Sequence, residues 1–167
     1  MKGSETKLIA FMQGSDKRFV IPVYQRNYDW KTENCKQLFD DLKKVIKMQR
    51  KSHFFGSIVS VYNPDGENME FQIIDGQQRL TTISLLLLAM YNLMKNGIMV
   101  PEQGNLADKI FRTYLIDEWQ DDDTRIKLKP VKNDQTAFGK LFDEESEYTI
   151  LFNPKSSTIC LTHSAYS

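Results

Sequence analysis

The sequence predicts an α+β domain, in which a small mixed sheet packs against helices, and two observations carry that prediction. First, the stretches "HFFGSIVSVY" and "MEFQIID" have the composition of strands, and the Pro-Asp-Gly sequence within "NPDGEN" between them is typical of a hairpin turn. Second, a helix from about Gln77 to Lys95 follows the second strand directly and ends at Asn96-Gly97. This helix is too apolar to lie on a surface, so we expect it to be the centre of the core.

The remaining elements are predicted from periodicity. A short helix covers Thr6 to Gln13, and Pro22 keeps the following "RFVIPVY" extended. From Thr32, apolar residues at positions 35, 38, 39, 42, 45 and 46 form the stripe of an amphipathic helix. Two further helices are predicted at 105–115 and 134–142, with a short strand "RIKLKPV" between them. We assign 1–153 to one domain and 154–167, which is rich in Ser and Thr, to an irregular tail.

Composition excludes several classes of protein. The 167 residues are 41% apolar, which is enough for one core, and 22 basic residues balance 22 acidic ones, so a strongly basic nucleic-acid module is not indicated. Cys35 and Cys160 lie far apart without metal-ligand spacing, so we expect neither a zinc site nor a disulfide framework. The N-terminus lacks the apolar core of a signal peptide. The run from Leu80 to Met94 is shorter than the roughly 20 residues of a membrane span. We therefore expect a cytoplasmic protein without membrane association.

The sequence "IIDGQQRL" places five chemistry-bearing residues where a strand becomes a helix. Unpaired backbone N–H groups and the helix dipole stabilise anions at a helix N-terminus, and Gly76 allows a phosphate to approach the backbone. Arg79 can bind that phosphate through its guanidinium group. Asp75 can hold Mg²⁺ or orient water, and Gln77 or Gln78 can position the water or contact a base or ribose.

A structural interpretation of the same residues stays open beside the functional one. In it, Asp75 caps the helix, Arg79 forms a salt bridge to Asp75, and both glutamines are solvated. The strand alternation adds one expectation to either interpretation, because it puts Asp75 on the same face as the apolar Phe71 and Ile73. Asp75 should then point to the side where the helix packs and not into open solvent. Neither a Walker motif nor a GxGxxG sequence is present.

A second group of candidate residues lies in "IPVYQRNYDW", a segment that Pro22 keeps extended. Arg26 is a second candidate phosphate ligand, and an aromatic side chain here can stack on a base or on Arg26. The alternative is that the aromatics only fasten this segment to the helix that begins at Thr32. The residues concerned are Tyr24, Gln25, Arg26, Tyr28 and Trp30.

Three further features carry weaker predictions. His53 precedes a strand and is a candidate ligand or catalyst, although a lone His more often has a packing role. The acidic sequence "DEWQDDDT" can bind a cation, but a solvated loop is the simpler account. In "RIKLKPVK", alternation puts Arg125, Lys127 and Lys129 on one strand face, as a nucleic-acid contact or as charges that protect an edge strand.

In their order and spacing, "IPVYQRNYDW", "HFFGSIVSV" and "IIDGQQRLTTISLLLL" resemble the N-terminal domain of the GmrSD family of modification-dependent (type IV) restriction enzymes. The resemblance covers roughly residues 5 to 145. It implies a ParB/sulfiredoxin-like fold and a domain that binds and hydrolyses an NTP (GTP, ATP or CTP) with Mg²⁺, coupled to restriction of foreign, often modified, DNA. The family's site residues carry over as Asp75, Gly76, Gln77, Gln78 and Arg79, with Tyr24, Gln25 and Arg26 upstream.

The sequence departs from the family in one respect. Family members commonly continue into an HNH nuclease domain, and no His-Asn-His cluster is present here. We therefore expect no DNA cleavage by this chain alone, and an HNH nuclease as a separate domain or subunit. A homodimer is compatible with the resemblance. The alternatives are a non-catalytic module that binds DNA or a partner and, as a weaker option, a nuclease of the ParB-like type.

Overall fold

The computed structural model describes residues 6–14, 16–63, 69–121, 124–143, 148–153 and 158–163, the last two ranges as backbone only. The helices are α1 Leu8–Met12, α2 Thr32–Lys47, α3 Gln77–Lys95, α4 Leu106–Ile110 and α5 Lys132–Lys140. A π-helical segment, Phe111–Leu115, continues α4. The strands are β1 Lys17–Val20, β2 Val59–Asn63, β3 Met69–Asp75, β4 Leu128–Lys129, β5 Tyr148–Asn153 and β6 Thr158–His163.

The α+β prediction is confirmed by a four-stranded mixed sheet in the order β2-β3-β1-β4. Strand β1 runs parallel to both β3 and β4, and β2 pairs antiparallel with β3, as predicted for the hairpin. The turn residues 64–68 between β2 and β3 lie outside the described residues. Strand β2 is shorter than predicted because Gly56, with φ +104, interrupts the extended backbone ahead of it.

Helix α3 is the core helix that its apolarity predicts, and its bounds match the prediction. Its Leu80 and Ala89 are fully buried, as are Phe19 of β1 and Ile73 of β3. Helix α2 has the predicted amphipathic character, and half-buried side chains such as Leu38 pack it against the core. The described part of the chain contains no helix with the length and apolarity that crossing a membrane requires.

Residues 158–163 of the predicted irregular tail form a strand, β6, which pairs with β5 at 148–153, inside the predicted domain. Strands β5 and β6 pair antiparallel and form a separate two-stranded sheet, with Tyr148 opposite His163 and Asn153 opposite Thr158. Both stretches, "YTILFN" and "TICLTH", are rich in β-branched and apolar residues, which favour strands even where the surrounding Ser and Thr suggest a loop. Residues 154–157 and 164–167 of the predicted tail lie outside the described residues.

The prediction of an exposed charged face in "RIKLKPV" is wrong for its central residue, Lys127. Lys127 is 2% exposed and donates to the backbone oxygen of Thr113, in the π-helical segment, at 2.5 Å. Asp117, expected in a solvated loop, is also buried, and its Oδ1 accepts from the N–H of Trp119. The strand alternation failed here because Lys127 lies in a bend before the two-residue strand β4, whereas Lys129, on the same predicted face, is exposed. Lys127 therefore satisfies a buried carbonyl instead of presenting charge to a nucleic acid.

Burial of Lys127 makes the stability of the fold depend on pH. Burial lowers the pKa of Lys127, and the nearby Asp117 opposes that shift only in part. Between the lowered pKa and 10.5, the unfolded chain binds more protons than the folded one, so the free energy of unfolding rises with pH across that window. Urea denaturation in steps up to pH 10.5 should show this rise for the wild type and not for Lys127→Met. Parallel curves for the two proteins would contradict the prediction.

Candidate functional site

The first turn of α3 begins at a glycine and has no side-chain cap. Gly76 is the N-cap residue with φ +87, and no side chain of the described residues caps the helix. A Cβ at this position would lie 2.8 Å from the backbone oxygen of Ser57, so the loop before β2 packs directly against the turn. The structural interpretation in which Asp75 caps the helix is therefore wrong. The N–H groups of this turn therefore have no side-chain cap among the described residues.

Arg79 lies on one side of this turn, over the loop before β2. Its Nη2 donates to the backbone oxygen of Ser57 at 2.7 Å and lies 3.6 Å from Oδ2 of Asp75. A Cβ on Gly56 would lie 2.5 Å from Nη1 of Arg79, so only glycine leaves room for the guanidinium group. The Nε of Arg79 is buried without a hydrogen-bond partner among the described residues. The Asp75–Arg79 salt bridge of the structural interpretation is thus present, although Arg79 is also bound to the backbone.

Asp75 itself does not point where the strand alternation predicts. Its side chain is 64% exposed. Asp75 is the last residue of β3, its partner Val59 lies at an irregularity in the β2–β3 register, and Gly76 turns the chain immediately afterwards. The alternation of the strand therefore ends at Ile73, which is fully buried. The expectation that Asp75 avoids open solvent is wrong.

The two glutamines bind the other candidate segment to the same turn. Gln78 is 5% exposed, and its amide donates to the backbone oxygen of Asn27 and accepts from the N–H of Asp29, both at 2.9 Å. Gln77 donates to Oε1 of Gln25 at 3.1 Å, and Gln25 donates to the backbone oxygen of Ile74 at 3.0 Å. Solvated glutamines were part of the structural interpretation, and that part is wrong. The glutamines join two sequences about fifty positions apart.

Tyr28 extends this junction to α2 and α5. Its N–H donates to Oδ2 of Asp134 at 2.6 Å, and its hydroxyl lies 2.9 Å from Oγ1 of Thr82 and 3.4 Å from Sγ of Cys35. Because Thr82 already donates to the backbone oxygen of Gln78, the Tyr28 hydroxyl is the donor to Thr82. Burial, followed by the contact with Cys35, raises the pKa of Tyr28. The hydroxyl therefore stays protonated and keeps its role as a donor.

A cavity of about 550 Å³ opens between α3 and α5, beside this junction. Its volume lies within the range of small-molecule sites, roughly 300–1,000 Å³. The interior is mostly apolar, and the charged side chains of Arg26 and Lys140 are exposed. The lining residues that come from the two candidate segments are Arg26, Tyr28, Gln77 and Gln78.

The structure therefore divides the predicted site residues into two groups. Arg26, Gln77 and Gln78 line the cavity, and Gln25 accepts a hydrogen bond from the side chain of Gln77. Asp75 and Arg79 lie at the same helix turn and form a salt bridge with each other, but they do not line the cavity. Tyr24 is 70% exposed, and His53 is exposed in the loop before β2. Neither of these two side chains contributes to the cavity wall.

One wall of the cavity comes from residues that the sequence did not single out. Helix α5 and the residues before it contribute apolar and polar lining, and the sequence predicted only that a helix lies there. Asp134 in the first turn of a helix resembles an ordinary partner of the helix dipole, so no local signal distinguished it. The lining residues from this region are Pro130, Val131, Asn133, Asp134, Thr136, Ala137, Phe138, Lys140 and Leu141.

The carboxylates of the described residues do not form a metal site on their own. No group of three or more His, Cys, Asp or Glu side chains there could hold a metal ion. Mg²⁺, however, commonly takes one or two carboxylates together with the phosphates of a bound nucleotide. Asp75, exposed beside the helix turn, has the chemistry for that shared form of coordination. Among the described residues, Asp75 lacks the further His, Cys, Asp or Glu side chains that a metal site made only of protein ligands requires.

The family model described as "GmrSD restriction endonuclease, N-terminal domain" matches residues 8–164, nearly the whole length of the chain. A search of curated proteins finds no match. The matched range includes both candidate segments and α5.

Proposed function

The chain belongs to the GmrSD restriction endonuclease N-terminal domain family, and from this premise we propose that it binds and hydrolyses an NTP within a modification-dependent DNA restriction system. Membership of this family implies a role in restriction and phage defence. NTP hydrolysis, dependence on DNA modification and a cytoplasmic location are the finer parts of the proposal. Its expected partners are a nucleotide, DNA and an HNH nuclease that is supplied as a separate domain or subunit.

The cavity between α3 and α5 is the observation that supports nucleotide binding best. A mostly apolar interior with Arg26 and Lys140 among its exposed lining suits an amphipathic ligand that carries anionic groups at one end. A nucleotide has this form, with an apolar base face and a phosphate chain. A surface for duplex DNA would instead present many cations over an exposed face, and the chain has no net charge.

The first turn of α3 is the proposed phosphate site. This turn is flanked by two segments. Gln25 accepts a hydrogen bond from Gln77 on one side, and the backbone oxygen of Ser57 accepts a hydrogen bond from Arg79 on the other. N–H groups at a helix N-terminus and a flanking guanidinium group stabilise phosphate charge. We assign charge neutralisation to Arg26 and Arg79. When bound, Mg²⁺ shared between Asp75 and the phosphates would supply further charge neutralisation.

The glutamines have a positioning role in this proposal. Both side-chain amides of Gln77 and Gln78 already bind the segment from Gln25 to Asp29, so their first task is to fix Arg26 relative to α3. Asp75 is exposed, and we propose that it orients the attacking water. His53 and Tyr24 are exposed in the two segments that contact this turn through Ser57 and Gln25, and we propose them as contacts to the parts of the nucleotide outside the cavity.

Calorimetric titration of the purified protein with GTP, ATP and CTP in the presence of Mg²⁺, followed by a phosphate-release assay, tests the proposal. We expect heat of binding for at least one nucleotide and turnover of that nucleotide. No heat with any nucleotide, together with DNA binding that persists, would show a non-catalytic DNA-binding module. Cleavage of plasmid by this chain with a divalent metal would show a ParB-like nuclease instead.

A further inference from the structure

We infer that the cavity between α3 and α5 receives the base and sugar of the nucleotide and that Asp134 selects the base. This inference rests on the proposed function. It adds a recognition element, α5, that lies outside both candidate segments of the sequence. The inference depends on the shape of the cavity, on the chemistry of its walls and on one carboxylate with an unused oxygen.

The walls of the cavity suit a flat apolar group better than a phosphate chain. Leu85 of α3 faces the cavity from one side, and Phe138 and Leu141 line it from the other. Apolar walls stabilise a base by removing its faces from water. They give a phosphate no hydrogen bonds in exchange for its lost hydration. The phosphates should therefore lie outside this interior, towards the first turn of α3.

Asp134 favours the same orientation of the nucleotide, with the base inside the cavity and the phosphates outside. Its carboxylate repels phosphate and accepts hydrogen bonds from N–H groups. Its Oδ2 accepts from the N–H of Tyr28, whereas no described residue donates to its Oδ1. Asp134 is half-buried and lines the cavity. A ring N–H or an exocyclic amino group of a base would give Oδ1 a donor. Because bases differ in where they carry such donors, Asp134 can discriminate between them.

Filling the cavity from α5 tests the location of the base. Ala137 and Gln135 are both exposed residues of α5, but only Ala137 lines the cavity. Ala137→Phe should weaken NTP binding about tenfold or more, whereas binding of inorganic tripolyphosphate, a probe without a base, should stay unchanged. Gln135→Phe, the matched control, should change neither. Binding would be measured by calorimetry on the full chain, with melting curves to confirm that each variant is folded.

Asp134→Asn tests the selection of the base. This change keeps an oxygen for the Tyr28 N–H but can replace the unused acceptor with a donor. We expect the ratio of affinities between the best and the worst of GTP, ATP, CTP and UTP to fall about tenfold, with tripolyphosphate binding unaltered. An unchanged ratio would overturn the role of Asp134. A change in tripolyphosphate binding as large as the change in NTP binding would show a general disturbance of the site instead.

The outcomes separate failure of this inference from failure of the proposed function. If the wild type binds no nucleotide, the proposed function fails and the inference with it. If the wild type binds NTPs and Ala137→Phe binds them equally well, the nucleotide lies elsewhere on the surface. The proposed function then stands, and the inference is overturned.

Discussion

The Arg26→Ala variant should hydrolyse NTPs about a hundredfold more slowly than the wild type, with a melting temperature close to that of the wild type. Removal of one group that stabilises phosphate charge commonly costs two to three orders of magnitude in rate. Arg26 is exposed at the cavity, so its loss leaves no buried group without a partner. Phosphate release under saturating and limiting NTP, together with melting curves, measures both effects.

Arg79→Ala is the informative companion to that variant, because Arg79 also contributes to the fold. Its loss removes the donor to the backbone oxygen of Ser57 and opens space above Gly56, so we expect about 1–2 kcal/mol of lost stability in addition to lost turnover. Lys132→Ala, which removes an exposed cation that does not line the cavity, serves as the control for net charge. Full NTP turnover by folded Arg79→Ala would leave the arginine with a structural role alone.

Gly76→Ala should destabilise the domain by about 2 kcal/mol or more. The φ of +87 at Gly76 is unfavourable for any L side chain, at about 1–2 kcal/mol, and the added Cβ would lie 2.8 Å from the backbone oxygen of Ser57. That contact cannot be relieved by rotating a side chain. The loop before β2 or the first turn of α3 must move instead. Urea denaturation measures the loss, and the nucleotide site should be disturbed in parallel.

Two other glycines separate the causes of that loss. Gly97 has a φ of +70 with nothing within 4 Å of its added Cβ, so Gly97→Ala isolates the cost of the backbone conformation. Gly139, in α5, has open space and no positive φ, so Gly139→Ala should stabilise the helix by up to about 1 kcal/mol. If Gly76→Ala and Gly97→Ala lower the free energy of unfolding by the same amount, the close contact with Ser57 contributes nothing to the loss at position 76.

The sequence predicted the central elements because their signals are local. Strand β3 and helix α3 have the predicted bounds, since a strand of apolar residues, a glycine and a long apolar helix each leave a strong local pattern. The hairpin strand β6 was missed because its β-branched residues lie among Ser and Thr, which suggested a loop. Lys127 was misplaced because it lies in a bend before the two-residue strand β4, where strand alternation does not describe the direction of its side chain.

For the candidate site, the sequence predicted the residues on the α3 side of the cavity but none of those that α5 contributes. The sequence placed one candidate phosphate ligand, Arg26 or Arg79, in each of two segments, and the structure joins those segments through Gln77 and Gln78. The contribution of Asp134 depends on a contact with Tyr28 across 106 positions, which no local pattern contains. The opposite placement of Arg26 and Arg79 also had no local signal. Arg26 lies in the non-helical segment before α2 and Arg79 in the first turn of α3, so their placement depends on how that segment packs on the helix.

The junction made by Gln77, Gln78 and Tyr28 has a consequence for the order of events in folding. Four of its hydrogen bonds connect positions 49, 51, 52 and 106 apart in the chain, so these four are contacts of high sequence separation. Such contacts form only after the entropic cost of closing long loops has been met. The cavity is therefore a late product of folding. During synthesis it cannot exist until α5 has left the ribosome, so a chain interrupted before that point has the turn at the start of α3 but no enclosed ligand site.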